Sequence, residues 1–158
     1  MATIHLELDG IPGDSEAANY EGQIDCSSWA WGASQAANMH VSTGGAAAGS
    51  TIMDISITKD MDKASPNLMK YCCKGTVMPT ATLTCTKSGG DGGTIEWLKV
   101  TMTNAIISNI SSSGQEGSMG MESVGLNFSE YKMEFWPQDD TGAQEAAIEA
   151  EYNIRTQT

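Results

Sequence analysis

The chain has 158 residues, with 20 acids against 8 Lys and Arg and a net charge of −12. That length suits a single domain, 1–158, because halves of it would bury too little core. The charge excludes nucleic acid as a main partner and disfavours insertion into an anionic membrane, since both need clustered Lys and Arg. Seventeen glycines and four tryptophans at 40% hydrophobic content point to strands and turns rather than packed helices. The start, Met1-Ala2-Thr3-Ile4-His5, has no basic head followed by an apolar run. Nothing approaches the ~20 apolar residues of a membrane-spanning helix. The expectation is a cytoplasmic protein that reaches the exterior, if it does, without a cleaved signal peptide. The four cysteines, Cys26, Cys72, Cys73 and Cys85, lack metal-ligand spacing and read as small core residues.

Period-two alternation dominates the chain. In the first strand Ile4, Leu6 and Leu8 share one face, and His5, Glu7 and Asp9 the other. Asp9-Gly10-Ile11-Pro12-Gly13 then turns the chain. A second strand spans Ile24 to Trp31, but Ile24 and Cys26 are out of phase with Trp29 and Trp31, which predicts a β-bulge near Ser27–Ser28. Residues 32–50 form a long Ala-, Gly- and Ser-rich loop, of a length that is functional or disordered in compact domains. Met53, Ile55 and Ile57 share the next strand face. A helix is expected over about 65–74. Ser65 is its N-cap, Pro66 sits in the first turn, Leu68, Met69, Cys72 and Cys73 form an apolar stripe, Lys70 and Lys74 suit the C-terminal dipole, and Gly75 stops it. Further strands fall at about 77–87, 94–111, 121–136 and 146–156. In the first of these Ala81, Leu83 and Cys85 oppose a row of threonines. Ile148, Ala150, Tyr152 and Ile154 form the last apolar set. The sum is a mostly antiparallel barrel or sandwich with one helix.

Catalytic chemistry finds no footing. Of the two histidines, His5 falls on an outer strand face and His40 in the glycine-rich loop, and no nucleophile elbow is present. Ser88-Gly89-Gly90-Asp91-Gly92-Gly93 lacks phosphate-loop spacing and precedes a strand. No catalytic, cofactor or metal site is assigned. A monomeric binding module that stacks a ligand on Trp29 or Trp31 is a rival reading, although alternation makes both core residues first.

Several motifs in order carry a resemblance. They are Leu8-Asp9-Gly10-Ile11-Pro12-Gly13-Asp14-Ser15, Ile24-Asp25-Cys26-Ser27-Ser28-Trp29-Ala30-Trp31-Gly32, Thr58-Lys59-Asp60-Met61-Asp62-Lys63-Ala64-Ser65-Pro66-Asn67-Leu68-Met69, Glu122-Ser123-Val124-Gly125-Leu126-Asn127-Phe128 and Trp136-Pro137-Gln138. Over nearly its whole length the chain resembles the Hcp (hemolysin-coregulated protein) family of type VI secretion. Pro12 and Asp14 depart from the lysine or glutamate frequent there in the family. The resemblance implies a mainly β fold: a barrel of two packed antiparallel sheets with one flanking helix and a protruding loop at about 32–50. It implies a homohexameric ring, rings stacked into a tube inside a contractile sheath with a spike protein at the tip, and small effector proteins carried in the lumen. By the same resemblance Ser28 and Ala30, turned away from the tryptophans on their strand, are expected lumen contacts. Ala36, Asn38, His40, Val41, Gly44, Gly45 and Gly49 are expected in the subunit interface. No effector domain is expected to be fused to the tube module. The alternative is the tail-tube protein of a phage or another contractile injection machine.

Overall fold

The computed structural model describes residues 2–37, 47–89 and 92–158. Eleven strands and one helix follow in the order β1 (Thr3–Leu8), β2 (Ile24–Cys26), β3 (Ser28–Ala30), β4 (Ala33–Ala37), β5 (Ala47–Ile52), β6 (Ile55–Asp60), α1 (Ser65–Lys74), β7 (Met78–Ser88), β8 (Thr94–Ser113), β9 (Met121–Asn127), β10 (Glu130–Phe135) and β11 (Ile148–Asn153). All pairings are antiparallel. One sheet runs β2-β1-β7-β8-β10-β11, and a second runs β8-β9-β6-β3.

The 20-residue strand β8 belongs to both sheets. Its first half pairs with β10 up to Thr103↔Glu130, and its second half pairs with β9 from Ile106↔Asn127. Between them Asn104 takes φ +52°, a left-handed conformation that Asn tolerates better than most residues. The other corner is Ser27. β2 pairs with β1 in one sheet and β3 with β6 in the other, and Ser27 bridges them by donating its N–H (2.8 Å) and Oγ–H (2.9 Å) to the Thr58 carbonyl. The phase slip expected as a bulge is therefore a change of sheet. Ile24 and Trp29 both face the interior, but from different walls. The region expected as one strand over 121–136 is likewise two, β9 and β10.

Between the walls lie Leu6, Leu8, Ile24, Ile55, Ile57, Leu83, Val100, Met102, Val124 and Leu126, all buried, with Trp29, Trp31 and Tyr131 packed against them. Leu68 of helix α1, with Ala64 just before the helix, caps the core. The helix spans the expected residues, with Pro66 in the first turn and Gly75 closing it at φ +63°, where a Cβ would be strained. The helical conformation already begins at Ala64 (φ −74°, ψ −22°), so Ser65 is not the N-cap. Ser65 Oγ instead accepts the Asp62 N–H at 3.0 Å. Met69 and Cys73, expected in the apolar stripe, are exposed; the helix buries only a narrow edge. Met53 too is exposed, because it precedes the strand that buries Ile55 and Ile57.

Among the described residues two polar clusters are buried. Lys59, fully inaccessible, donates to Glu122 Oε2 at 2.7 Å and to Asp62 Oδ1 at 2.9 Å, so one ammonium ties β6, β9 and the entry to α1 together. His5, expected on an outer face, is only 3% exposed. It does point away from the core, but the chain between β1 and β2 folds back over it and lays Tyr20 flat on the imidazole, 4.4 Å between centroids. Thr84 and Thr86, on the threonine side of β7, are buried as well. Gly13 permits this fold-back: a Cβ there would sit 2.4 Å from the Gln23 carbonyl oxygen.

Candidate assembly surfaces

Strand β3 is an edge. It pairs through Ser28↔Thr58, Trp29↔Ile57 and Ala30↔Ser56, and no second strand flanks it among the described residues. Alternation turns Trp29 inward against the core and leaves Ser28 and Ala30 exposed, as expected from the sequence.

After Trp31 the chain leaves the barrel. Residues 32–50, expected as a loop, include β4 and most of β5, which among the described residues pair only with each other. Alanine, serine and glycine carry no apolar period, so nothing in the sequence marks them as strands. Ala36 is exposed on β4, and Gly49 lies in β5 at φ +110°. Asn38, His40, Val41, Gly44 and Gly45 lie outside the described residues. The base of the hairpin is held firmly. Trp31 Nε1 donates to the Met53 carbonyl and the Met53 N–H to the Gly32 carbonyl, both at 2.9 Å. The Trp31 ring stands edge-on to Tyr131 at 4.8 Å and to Phe128 at 6.0 Å. Farther out the described contact is slight: Ser50 Oγ lies 3.4 Å from Tyr152 Oη.

The hairpin β10–β11 also runs past the barrel. Its register sets Phe135 opposite Ile148 and Met133 opposite Ala150. Phe135 aligns with Leu98 on β8 and thus lies on the core side of its sheet, yet Phe135 is 44% and Ile148 66% exposed. Trp97 meets Phe135 edge-on at 6.3 Å. Sequence alternation places these side chains inside, and it carries no signal that the sheet outruns the wall facing it. The tip beyond them is a compact loop. Asp139 Oδ1 accepts from Thr141 N (2.8 Å), Thr141 Oγ1 (2.6 Å) and Ala143 N (2.9 Å), and these bonds hold its carboxyl below the usual range.

One constellation has the outline of catalytic chemistry. His5 Nδ1 lies 2.9 Å from Asp25 Oδ1, and Nε2 is 3.0 Å from Thr3 Oγ1, which in turn contacts Thr86 Oγ1. An acid, an imidazole and a hydroxyl are in sequence, as in a nucleophilic triad. The surroundings argue against that use. The Asp25 contact is out of line for a hydrogen bond, Tyr20 covers the ring face, and Thr86, the hydroxyl's neighbour, is buried. Tyr20 is itself held by donating to Glu96 Oε1 at 2.8 Å; burial and that carboxylate push its phenol well above the usual range. The group works as a latch for the 12–23 segment. Among the described residues no cluster of three or more His, Cys, Asp or Glu is placed to hold a metal ion.

Comparison with known proteins gives these surfaces a context. Residues 5–135 match the family model described as "Type VI secretion system effector, Hcp". Protein hcp1 of Pseudomonas aeruginosa is 36% identical over 106 residues, a match covering 66% of this chain and 65% of that protein's length. Among solved structures, Hcp1 of Salmonella typhimurium superposes with a TM-score of 0.79 at 31% identity, over 99% of this chain and 97% of that one. Hcp2 of the same organism gives 0.73 at 33% identity, over 99% and 98%. A type six secretion system protein at 24% identity reaches 0.91 over 100% of this chain and 99% of that one, which shows the shared fold.

Proposed function

The chain belongs to the Hcp family, a family of structural type VI secretion proteins, and on that premise we propose that it is a subunit of the secretion tube, with residues 1–158 acting as one tube domain. Six copies close into a ring, rings stack, and contraction of a surrounding sheath expels the tube behind a spike protein. The chain leaves the cell by that route, without a cleaved signal peptide. No helix among the described residues is long and apolar enough to cross a membrane.

The observation that carries this reading is the β4–β5 hairpin. A two-stranded sheet alone is marginal in water, and the described side chains of β4, residues 33–36, are all exposed. Such a hairpin gains its missing burial from a neighbouring subunit. Ala36, Asn38, His40, Val41, Gly44, Gly45 and Gly49 form that contact in this proposal. A patch on one subunit meeting a different patch on the next is the kind of interface that closes rings.

The lumen reading assigns Ser28 and Ala30 to effector contacts. Both are small and exposed on a strand fixed from behind by Trp29. Small side chains leave the shape of the cargo to decide the fit. Negative-stain microscopy of the purified chain tests the ring directly, and sixfold particles are expected. Ala30→Gln, an exposed change that costs little stability, is expected to keep the particles and reduce co-purification of effectors. Unchanged retention of every effector removes Ala30 from the lumen.

A further inference from the structure

The charges of this acidic chain are segregated along the sequence. Residues 63–90 contain Lys63, Lys70, Lys74 and Lys87 and no carboxylate, whereas residues 133–154 contain six carboxylates and no Lys or Arg. Each block also exposes apolar side chains. On α1 and just past it, Met69, Cys73 and Val77 are exposed at four-residue spacing, beside exposed Lys70 and Lys74. Neither lysine makes an ion pair among the described residues. At the tip of β10–β11, Phe135 and Ile148 are exposed next to the loop that carries Asp140 and Glu145, both exposed and without an ion-pair partner among the described residues. Glu149, by contrast, is engaged by Lys132 at 3.2 Å.

The two patches cannot meet within one chain. Phe135 is in register with Leu98, and Leu98 with Cys85, while α1 leads into the opposite end of β7 at Met78. Seven residues of strand at ~3.3 Å each set the two ends about 23 Å apart. We infer that the basic, apolar face of α1 docks the acidic, apolar tip of the β10–β11 hairpin of a second copy, head to tail. An apolar centre with charges of opposite sign around it supplies both burial and register. Because the two surfaces differ, the contact propagates from copy to copy and does not end at a pair. An anionic membrane is the other surface that a basic, apolar helix face could meet. Two unpaired lysines on a chain of net charge −12 favour a local carboxylate patch over an extended anionic sheet. The inference deepens the tube reading, since it names the residues that join one copy to the next.

Charge exchange and cross-linking test it. Lys70→Glu/Lys74→Glu and Asp140→Lys/Glu145→Lys are each expected to weaken higher-order association at least tenfold in sedimentation velocity. Combining all four changes is expected to bring it back within about threefold of wild type. In a second arm, Ile148→Cys is oxidised in the presence of the native Cys73. A ladder of disulfide-linked multimers is expected on a non-reducing gel, and Cys73→Ser in the same background abolishes it. Absence of rescue, or a ladder that survives Cys73→Ser, overturns the docking. Sixfold particles without a ladder overturn the docking and leave the tube reading intact; a ladder without sixfold particles does the reverse. If Lys70→Glu/Lys74→Glu leaves sedimentation unchanged but abolishes flotation with phosphatidylserine vesicles, the helix face belongs to a lipid surface and the inference fails.

Discussion

The barrel and the two hairpins that leave it bury their apolar side chains differently. In the barrel Ile57 on β6 and Val124 on β9 pair in register and are both inaccessible. At the tip of β10–β11, Phe135 and Ile148 pair in register just as well and stay open to solvent. The strand chemistry is the same in both places; what differs is whether the chain itself supplies the facing wall. The barrel completes its own burial, and the hairpins leave theirs open; the proposed tube assigns that burial to a neighbouring copy.

The sharpest break in this contrast is expected at Lys59. Lys59→Met leaves Glu122 buried without its counter-charge and Asp62 half-satisfied, at a cost of about 3–5 kcal/mol. Urea unfolding followed by circular dichroism measures it. Replacing Lys59 and Glu122 together with apolar residues of matching volume is expected to recover part of that loss; Asp62 is kept because its Oδ1 also accepts the Ala64 N–H at 3.0 Å. Next in size is a matched pair. Ile57→Ala removes a core side chain and costs about 3 kcal/mol, whereas Ile148→Ala changes the stability of the isolated subunit by less than about 0.5 kcal/mol. Equal costs in the two variants would mean that the hairpin tip is part of the subunit's own core.

A smaller, pH-dependent effect separates half-buried Cys26 and buried Cys85 from exposed Cys73. Burial pushes Cys26 up to about 12 and Cys85 up to about 11, with Lys59 opposing the shift at Cys26. The unfolded thiols titrate near ~8.5, so the fold favours the protonated forms. This contribution is complete below the unfolded value and is lost as pH rises through 11 and 12. Tyr20, also raised, adds to the alkaline loss. The urea midpoint is expected to fall between pH 8 and pH 10, and Cys85→Ala to flatten the fall. At pH 8.5 iodoacetamide is expected to alkylate exposed Cys73 of the dissociated subunit while Cys26 and Cys85 stay protected.

The same contrast explains what was legible in the sequence. Local chemistry reads true: Pro66, Lys74 and Gly75 mark both ends of α1, and alternation orders the faces of β7, β8 and β9. The orientation of Ser28 and Ala30 also follows from alternation. Features set by distant chain do not. The phase slip at Ser27 is visible, but its cause, a hand-over between walls, depends on where β1 and β6 lie. His5 points outward as alternation requires, and its burial comes from a returning segment that holds Tyr20. The hairpin β4–β5 has no apolar period, since its residues have no core of their own to face. Phe135 and Ile148 carry the pattern of a core and lie beyond its end. The residues hardest to read are those that the chain itself does not cover, and these make up the candidate assembly surfaces.

That central claim is tested most directly at the hairpin, by light scattering on a sizing column with circular dichroism on the same samples. The wild-type chain is expected at about six times its 16.7 kDa mass. With residues 36–49 replaced by a short Gly-Ser linker, the sheet signal is expected to persist while the sixfold species is lost. A wild-type chain that stays monomeric at high micromolar concentration, or a linker variant that assembles as before, contradicts the claim that the hairpin is completed by a neighbouring copy.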